Sequence, residues 1–199
     1  MKKTIEELLN EIKEDKKDNL ATTSFKFKTD LWNFFQNYHD KIAVEFGTHK
    51  GQTTRILSFL FKKVYTININ DNASGKSLNS DRDNIIYIDN FDLYSSQKLP
   101  ISDIVDVVLI DAGHDYEHVI ADINRVFSMN CSEDCYIIFD DYGLAKFENE
   151  VKKAVDQAVS MNAITIIEKI GHQTGHDFGG IPPRILTNSE GVIAKINWQ

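Results

Sequence analysis

Apolar residues follow two rhythms along this chain. Five short runs are almost continuously apolar: IAVEF (42–46), KVYTIN (63–68), NIIYI (84–88), DVVLID (106–111) and CYIIFD (135–140). Runs of this length, rich in β-branched residues, predict buried strands. Between them the spacing changes to three or four residues. Thr53, Ile56, Leu57 and Leu60 recur at helical intervals, and similar patterns fill 52–62, 116–128 and 147–161. Two helices precede the first strand. Residues 4–15 place Ile5, Leu8, Leu9 and Ile12 on one face, which must pack on the rest of the chain or on a second subunit. The stretch KTDLWNFFQNYHDK turns Leu31, Phe34, Phe35 and Tyr38 inward, an aromatic stripe that reads as core rather than binding site. The polar stretch 71–83 reads as a loop or a poor, short helix.

Continuous apolar strands separated by helices predict a parallel sheet covered on both faces. After residue 161 the rhythm changes. AITIIEKI and GVIAKIN read as strands, and RIL-TNSEG-VIAKI has the turn residues of a hairpin. The expected fold is therefore α/β, doubly wound and mostly parallel, with an antiparallel C-terminal edge. Within one domain spanning 1–199, residues 1–39 supply helices suited to a lid or an oligomer contact. Residues 40–145 form the core, and 146–199 add a helix and strands.

Composition narrows the function. The chain has 199 residues, enough for one domain with a real core; 42% are hydrophobic and 26% charged, ordinary for a globular protein. The N-terminal segment lacks the apolar centre of a signal peptide, and no apolar stretch is long enough to cross a bilayer, so a cytoplasmic protein with no membrane contact is expected. A net charge of −8 argues against nucleic acid as the partner, because phosphate backbones are gripped by clustered Lys and Arg. Cys131 and Cys135, in CSEDC, have neither redox nor zinc spacing and read as reduced thiols.

In a doubly wound sheet, ligands bind beyond the carboxyl ends of the strands. All five strand ends here are polar: EFGTHKG, NIND, DNFD, DAGHDYEH and DDYG. Asp and Asn also favour turns and caps, but five of five exceeds that need. The first loop is no P-loop, since Gly47 and Gly51 are too close and no Lys-Ser/Thr pair follows. It is no dinucleotide fingerprint either, because His49 stands where a second glycine belongs. What remains, E-x-G-x-x-x-G, admits a ligand lacking phosphate.

VEFGTHKGQTT, VYTIN, VVLIDAGHDYEHVIADI and YIIFDDYG, in this order, resemble the class I S-adenosylmethionine-dependent methyltransferases, with their Rossmann-like fold. The resemblance covers residues 40–145 and is nearest to small-molecule and sugar O-methyltransferases of the macrocin O-methyltransferase type. It implies S-adenosylmethionine as cofactor and a small-molecule substrate. Glu45, Gly47, Thr48 and Gly51 would line the methionine part, Asp89 the adenine, and Asp111 would serve both cofactor and catalysis. The residue ending strand two is usually an acid that accepts from the ribose hydroxyls, and this chain has Asn68 there. An amide oxygen accepts such a bond without the charge that makes a carboxylate bond roughly twice as strong. Asp71 lies near enough in sequence to substitute.

Asp111, Asp140 and Asp141 end adjacent strands and would repel one another unless a cation or protons intervene. Oxygen ligands suit Mg²⁺, and related sugar methyltransferases use such an ion to hold vicinal hydroxyls. The alternative is that Asp140 or Asp141 merely caps the next turn. His114 is the best general-base candidate, as a neutral imidazole near its intrinsic pKa of roughly 6.5. HDYEH (114–118) also matches the H-x-x-E-H zinc peptidase signature, but that chemistry needs both histidines inside one helix, and His114 falls in a loop. In GHQTGHDFGGIPPR (171–184), His172, His176 and Asp177 would bind substrate or metal, or belong to an ordinary loop. Arg184 would recognise an anionic group or pair with a surface acid. Three functions compete: an O-methyltransferase acting on a sugar or other small polar molecule, a non-catalytic protein holding an adenosine-containing ligand, and, resting on HDYEH alone, a zinc hydrolase.

Overall fold

The backbone pairs its strands into one seven-stranded sheet in the order β3-β2-β1-β4-β5-β7-β6. The computed structural model describes residues 3–12, 22–179 and 184–198. The strands are β1 (Ile42–Phe46), β2 (Lys63–Ile67), β3 (Ile85–Ile88), β4 (Val105–Ile110), β5 (Cys131–Phe139), β6 (Ile164–Ile170) and β7 (Gly191–Ile196). The first five are mutually parallel, and β7 runs antiparallel to both β5 and β6. Strand order reverses between β1 and β4, which opens a crevice at their carboxyl ends.

The expected α/β sheet forms, mostly parallel with antiparallel pairing at its C-terminal edge, and one reading there is corrected. The antiparallel strand β7 sits one place in from the edge, with β6 outermost. The hairpin read from RIL-TNSEG-VIAKI does not form. Instead β7 pairs with β6, while Ile185 bridges Asp177 and Leu186 bridges Leu144. Turn residues at 187–191 mark a real change of direction, but tertiary pairing chose another partner.

The helices are α1 (Ile5–Ile12), α2 (Phe25–Phe35), α3 (Gln52–Leu60), α4 (Ala73–Leu78), α5 (Tyr116–Phe127) and α6 (Lys153–Ser160), the last preceded by a wider turn over Glu148–Lys152. Ser24 starts α2 by accepting from the Phe27 N–H at 3.0 Å. The polar stretch 71–83 is helical at its centre because Asn72 accepts from the Gly75 N–H, and Asn79 donates to the Gly51 carbonyl at 2.9 Å. The expected extension of α1 to residue 15 lies outside the described residues.

Two apolar clusters sandwich the sheet. Val44 and Phe46 of β1 face the side covered by α5 and α6. Ala43 faces α1, α2 and α3. The apolar side of α1 packs on its own chain: Leu8 and Ile12 are buried, Gln52 donates to the Ile12 carbonyl, and Arg55 bridges Glu11 and Asp81. The aromatic stripe is core, as expected. Phe35 lies within 6 Å, centroid to centroid, of Phe34, Tyr38, Phe61 and Tyr136. Truncating Phe35 to Ala should cost about 3–5 kcal/mol, read as a lowered urea midpoint with unchanged slope. A loss below about 1 kcal/mol would mean that the stripe is not core.

Candidate active site at the carboxyl ends of the strands

The residues after β1, β2, β4 and β5 are tied in a row by backbone hydrogen bonds that continue the ladder past the strand ends. Gly47 N–H donates to the Ile67 carbonyl at 3.0 Å, Asn68 N–H to Ile88 at 3.0 Å, Asp111 N–H to Phe46 at 2.9 Å, and Asp140 N–H to Ile110 at 3.2 Å. Gly47 is required by this closeness. Its φ is +94°, and a Cβ there would lie 2.0 Å from the Asp111 carbonyl oxygen. Gly51 serves a different neighbour, since a Cβ on it would meet the Gly75 Cα at 2.7 Å. Of the two glycines, Gly47 borders the crevice, whereas Gly51 packs α3 against α4.

The crevice is a cavity of about 950 Å³, near the upper end for small-molecule sites. From β1 it receives Glu45, Gly47 and Thr48; from the ends of β2 and β4, Asn68, Asp111 and His114; and from the end of β5, Asp140 and Asp141. Phe91, Leu93 and Tyr94 give it an apolar wall. Asp89, expected at the adenine, does not border it; together with Asp71 it pairs with Lys76. Asp71 therefore does not substitute for Asn68, whose side chain donates to the Asn70 carbonyl at 3.0 Å.

Glu45 is buried on the α3 side of β1 and accepts from Thr54 Oγ1 at 2.5 Å and Thr66 Oγ1 at 2.6 Å. Thr48 extends the chain through Thr66 at 2.6 Å. Burial outweighs these bonds and pushes the Glu45 carboxyl up to about 8. Asp111 is likewise raised by burial, and Asp140 well raised by burial and by Asp141 and Asp111 beside it. Asp140 borders the cavity, and its Oδ1 is buried without a hydrogen-bond partner among the described residues.

His114 answers the charge of this cluster. Its Nε2 lies 3.1 Å from Asp141 Oδ2 and 3.7 Å from Asp111 Oδ1. Asp111 and Asp141 hold the imidazole up to about 10, so it is a cation at neutral pH and not the neutral base expected from its intrinsic pKa. Asp141 reaches it from a left-handed backbone, φ +56°, which Asp tolerates better than most residues. Phe147 stacks on the imidazole at 4.8 Å. The Mg²⁺ expectation finds no support. Among the described residues no group of three or more His, Cys, Asp or Glu could hold a metal ion. Beside Asp111 and Asp141 the protein places the His114 imidazolium.

The zinc reading also fails. His114 precedes α5 and faces Asp141, while His118, inside α5, stacks on Tyr94 at 4.1 Å. His172 and His176 stack on each other at 3.7 Å and do not border the cavity. Cys131 and Cys135 are free thiols within β5. One buried residue escaped sequence reasoning. Glu190 accepts from the Ser24 N–H and hydroxyl at 2.7 and 2.6 Å and borders the cavity, yet in NSEG it looks like part of a turn.

Residues 44–142 match a protein-family model described as a methyltransferase domain. No curated protein matches the chain in sequence. Solved structures share its fold. The N-methyltransferase NodS from Bradyrhizobium japonicum, in complex with S-adenosyl-L-homocysteine, is 14% identical, with 96% of each chain covered and a TM-score of 0.65. The O-methyltransferase TomG from Streptomyces achromogenes, in complex with SAM, is 12% identical, covering 98% of this chain and 89% of its own, at 0.64. The tRNA (m1A58) methyltransferase TrmI from Aquifex aeolicus is 16% identical, covering 99% and 77%, also at 0.64. Residues 44–142 therefore carry the sequence pattern of a methyltransferase domain, and the fold is shared with these solved methyltransferase structures. No helix among the described residues is long and apolar enough to cross a membrane.

The raised groups set a pH dependence for stability. Glu45 binds its proton more tightly folded than unfolded, so its contribution is lost as pH rises from the ordinary carboxyl range through about 8. His114 acts in the same direction: its contribution is full below about 6.5 and lost as pH rises through about 10. Urea midpoints of the ligand-free protein should therefore fall from about pH 5.5 to pH 9. Glu45→Gln should flatten the part of that fall below about pH 8; a wild-type midpoint that rises over this range contradicts the assignment.

Proposed function

We propose that this chain is an S-adenosylmethionine-dependent methyltransferase acting on a hydroxyl of a sugar or other small polar molecule. The observation that carries the reading is the cavity at the strand-order switch, where Gly47, Asn68 and Asp111 lie together within the segment matching a methyltransferase domain. The donor set fits the cofactor. Phe91 and Leu93 offer an apolar wall to a purine, Asn68 an acceptor to a ribose hydroxyl, and Glu45 and Thr48 polar contacts to the methionine end. When bound, S-adenosylmethionine supplies a methyl group on a cationic sulfur, a strong electrophile with a neutral leaving group.

The protein then has two tasks: to align the acceptor oxygen and to remove its proton. The hydroxyl becomes strongly acidic as the new C–O bond forms, so a carboxylate is base enough. Asp141 takes that proton in our reading. His114, as imidazolium, holds the Asp141 carboxylate in place through Nε2, and Asp111 lies beside the same nitrogen at 3.7 Å. The proton lost by the acceptor is thus kept within a hydrogen-bonded pair.

Two measurements test the reading. Asn68→Asp should tighten S-adenosylhomocysteine binding about tenfold, because the ribose bond becomes charge-assisted. Unchanged or weaker binding would place the ribose elsewhere. His114→Ala should lower turnover by at least about tenfold while leaving that affinity within about twofold. The wild-type rate should be flat from about pH 7 to 9 and fall near 10, as the imidazolium loses its proton. A rate that climbs with a midpoint near 6.5 would instead restore a neutral imidazole base.

A further inference from the structure

Part of the cavity wall is built by two backbone segments that pair outside the main sheet. Leu144 bridges Leu186 and Asp177 bridges Ile185 in antiparallel fashion. Ala145 N–H donates to the Ile185 carbonyl at 3.0 Å, Leu186 N–H to His176 at 3.0 Å, and Phe178 N–H to Arg184 at 3.1 Å. This small ladder brings Lys146 and Phe147 from one segment, and Phe178 and Arg184 from the other, to the same cavity. Each cation lies near a ring: Lys146 Nζ is 4.9 Å from the Phe147 centroid, and the Arg184 guanidinium carbon 5.8 Å from that of Phe178. Lys146 makes no ion pair among the described residues.

The cavity therefore carries both signs of charge. Asp111, Asp140, Asp141 and Glu190 border it, and so do Lys146 and Arg184, on the two segments of the small ladder. A chain of net charge −8 repels anions at long range, so two cations facing one cavity are a local exception. The two groups are also close. Phe147 stacks on His114 at 4.8 Å, and Lys146 is its neighbour in sequence.

We propose that the methyl acceptor carries an anionic group, a phosphate or a carboxylate, held by Lys146 and Arg184 about one ring's width from its reacting hydroxyl. The assignment rests on the methyltransferase reading for which part of the cavity receives the acceptor. Phe147 and Phe178 cover the faces of the intervening ring. The acidic group rejects the anion and the basic pair attracts it, so a bound ring has one favoured orientation, with its hydroxyl toward Asp141.

The test compares matched probes by NMR titration of the protein, alone and loaded with S-adenosylhomocysteine. 4-Hydroxybenzoate is set against 4-hydroxybenzamide, and glucose 6-phosphate against glucose, which separates carboxylate from phosphate. At least one charged probe should bind about tenfold tighter than its neutral partner and shift the amides of residues 146 and 184. That preference should vanish in the Lys146→Gln/Arg184→Gln double variant, while its affinity for S-adenosylhomocysteine stays within about twofold of wild type. Equal binding of charged and neutral probes in both series, or a preference that survives the double variant, overturns the proposal. Failure of S-adenosylhomocysteine to bind the wild type sinks the methyltransferase reading instead, and the anion site is then decided on the protein alone.

Discussion

The candidate site depends on how closely β1 and β4 approach each other at their carboxyl ends. The Asp111 N–H reaches back to the Phe46 carbonyl, and the Asp111 carbonyl oxygen occupies the space that a side chain at 47 would need. Only glycine permits both. The consequence is a straight edge of strand ends rather than a splayed one, with Glu45, Asn68, Asp111 and Asp140 presented side by side. Gly47 is thus needed first by the protein's own backbone, and the open wall beside it follows from that packing.

Setting several carboxyl groups along one buried edge creates an electrostatic problem. Protons and a cationic side chain both relieve it, and the structure shows each. Glu45 and Asp140 are held toward their neutral forms by burial, and the His114 imidazolium stands between Asp111 and Asp141. The same cation that relieves the repulsion holds Asp141, the carboxylate proposed to accept the acceptor's proton. In that proposal stability and chemistry are coupled through one side chain.

Much of the architecture was legible in the sequence because buried parallel strands leave a strong signal. All five central strands appear as apolar runs with ends shifted by a few residues, and the aromatic stripe of α2 was readable as core from its spacing. The misreadings have a common cause. Which partner a strand takes, which acid borders a cavity and which charge a histidine carries are set by neighbours distant in sequence. The hairpin expected at 184–196 gave way to pairing with β6. Asp71 and Asp89, plausible by position, are both drawn away by Lys76. His114 was identifiable by its place after β4, but its charge depends on Asp141, which arrives from another strand. Glu190 left no signal, because a buried acid capping a remote helix looks like any polar residue in a turn.

The central claim is that the edge formed by Gly47, Asn68 and Asp111 receives a nucleoside. Amide chemical-shift mapping during titration with S-adenosylhomocysteine tests it most directly. The account predicts saturable shifts concentrated at Gly47, Thr48, Asn68, Phe91 and Ala112, with β6 and the far side of α2 unmoved. Saturable shifts confined to another surface, or none at high micromolar ligand, would contradict it.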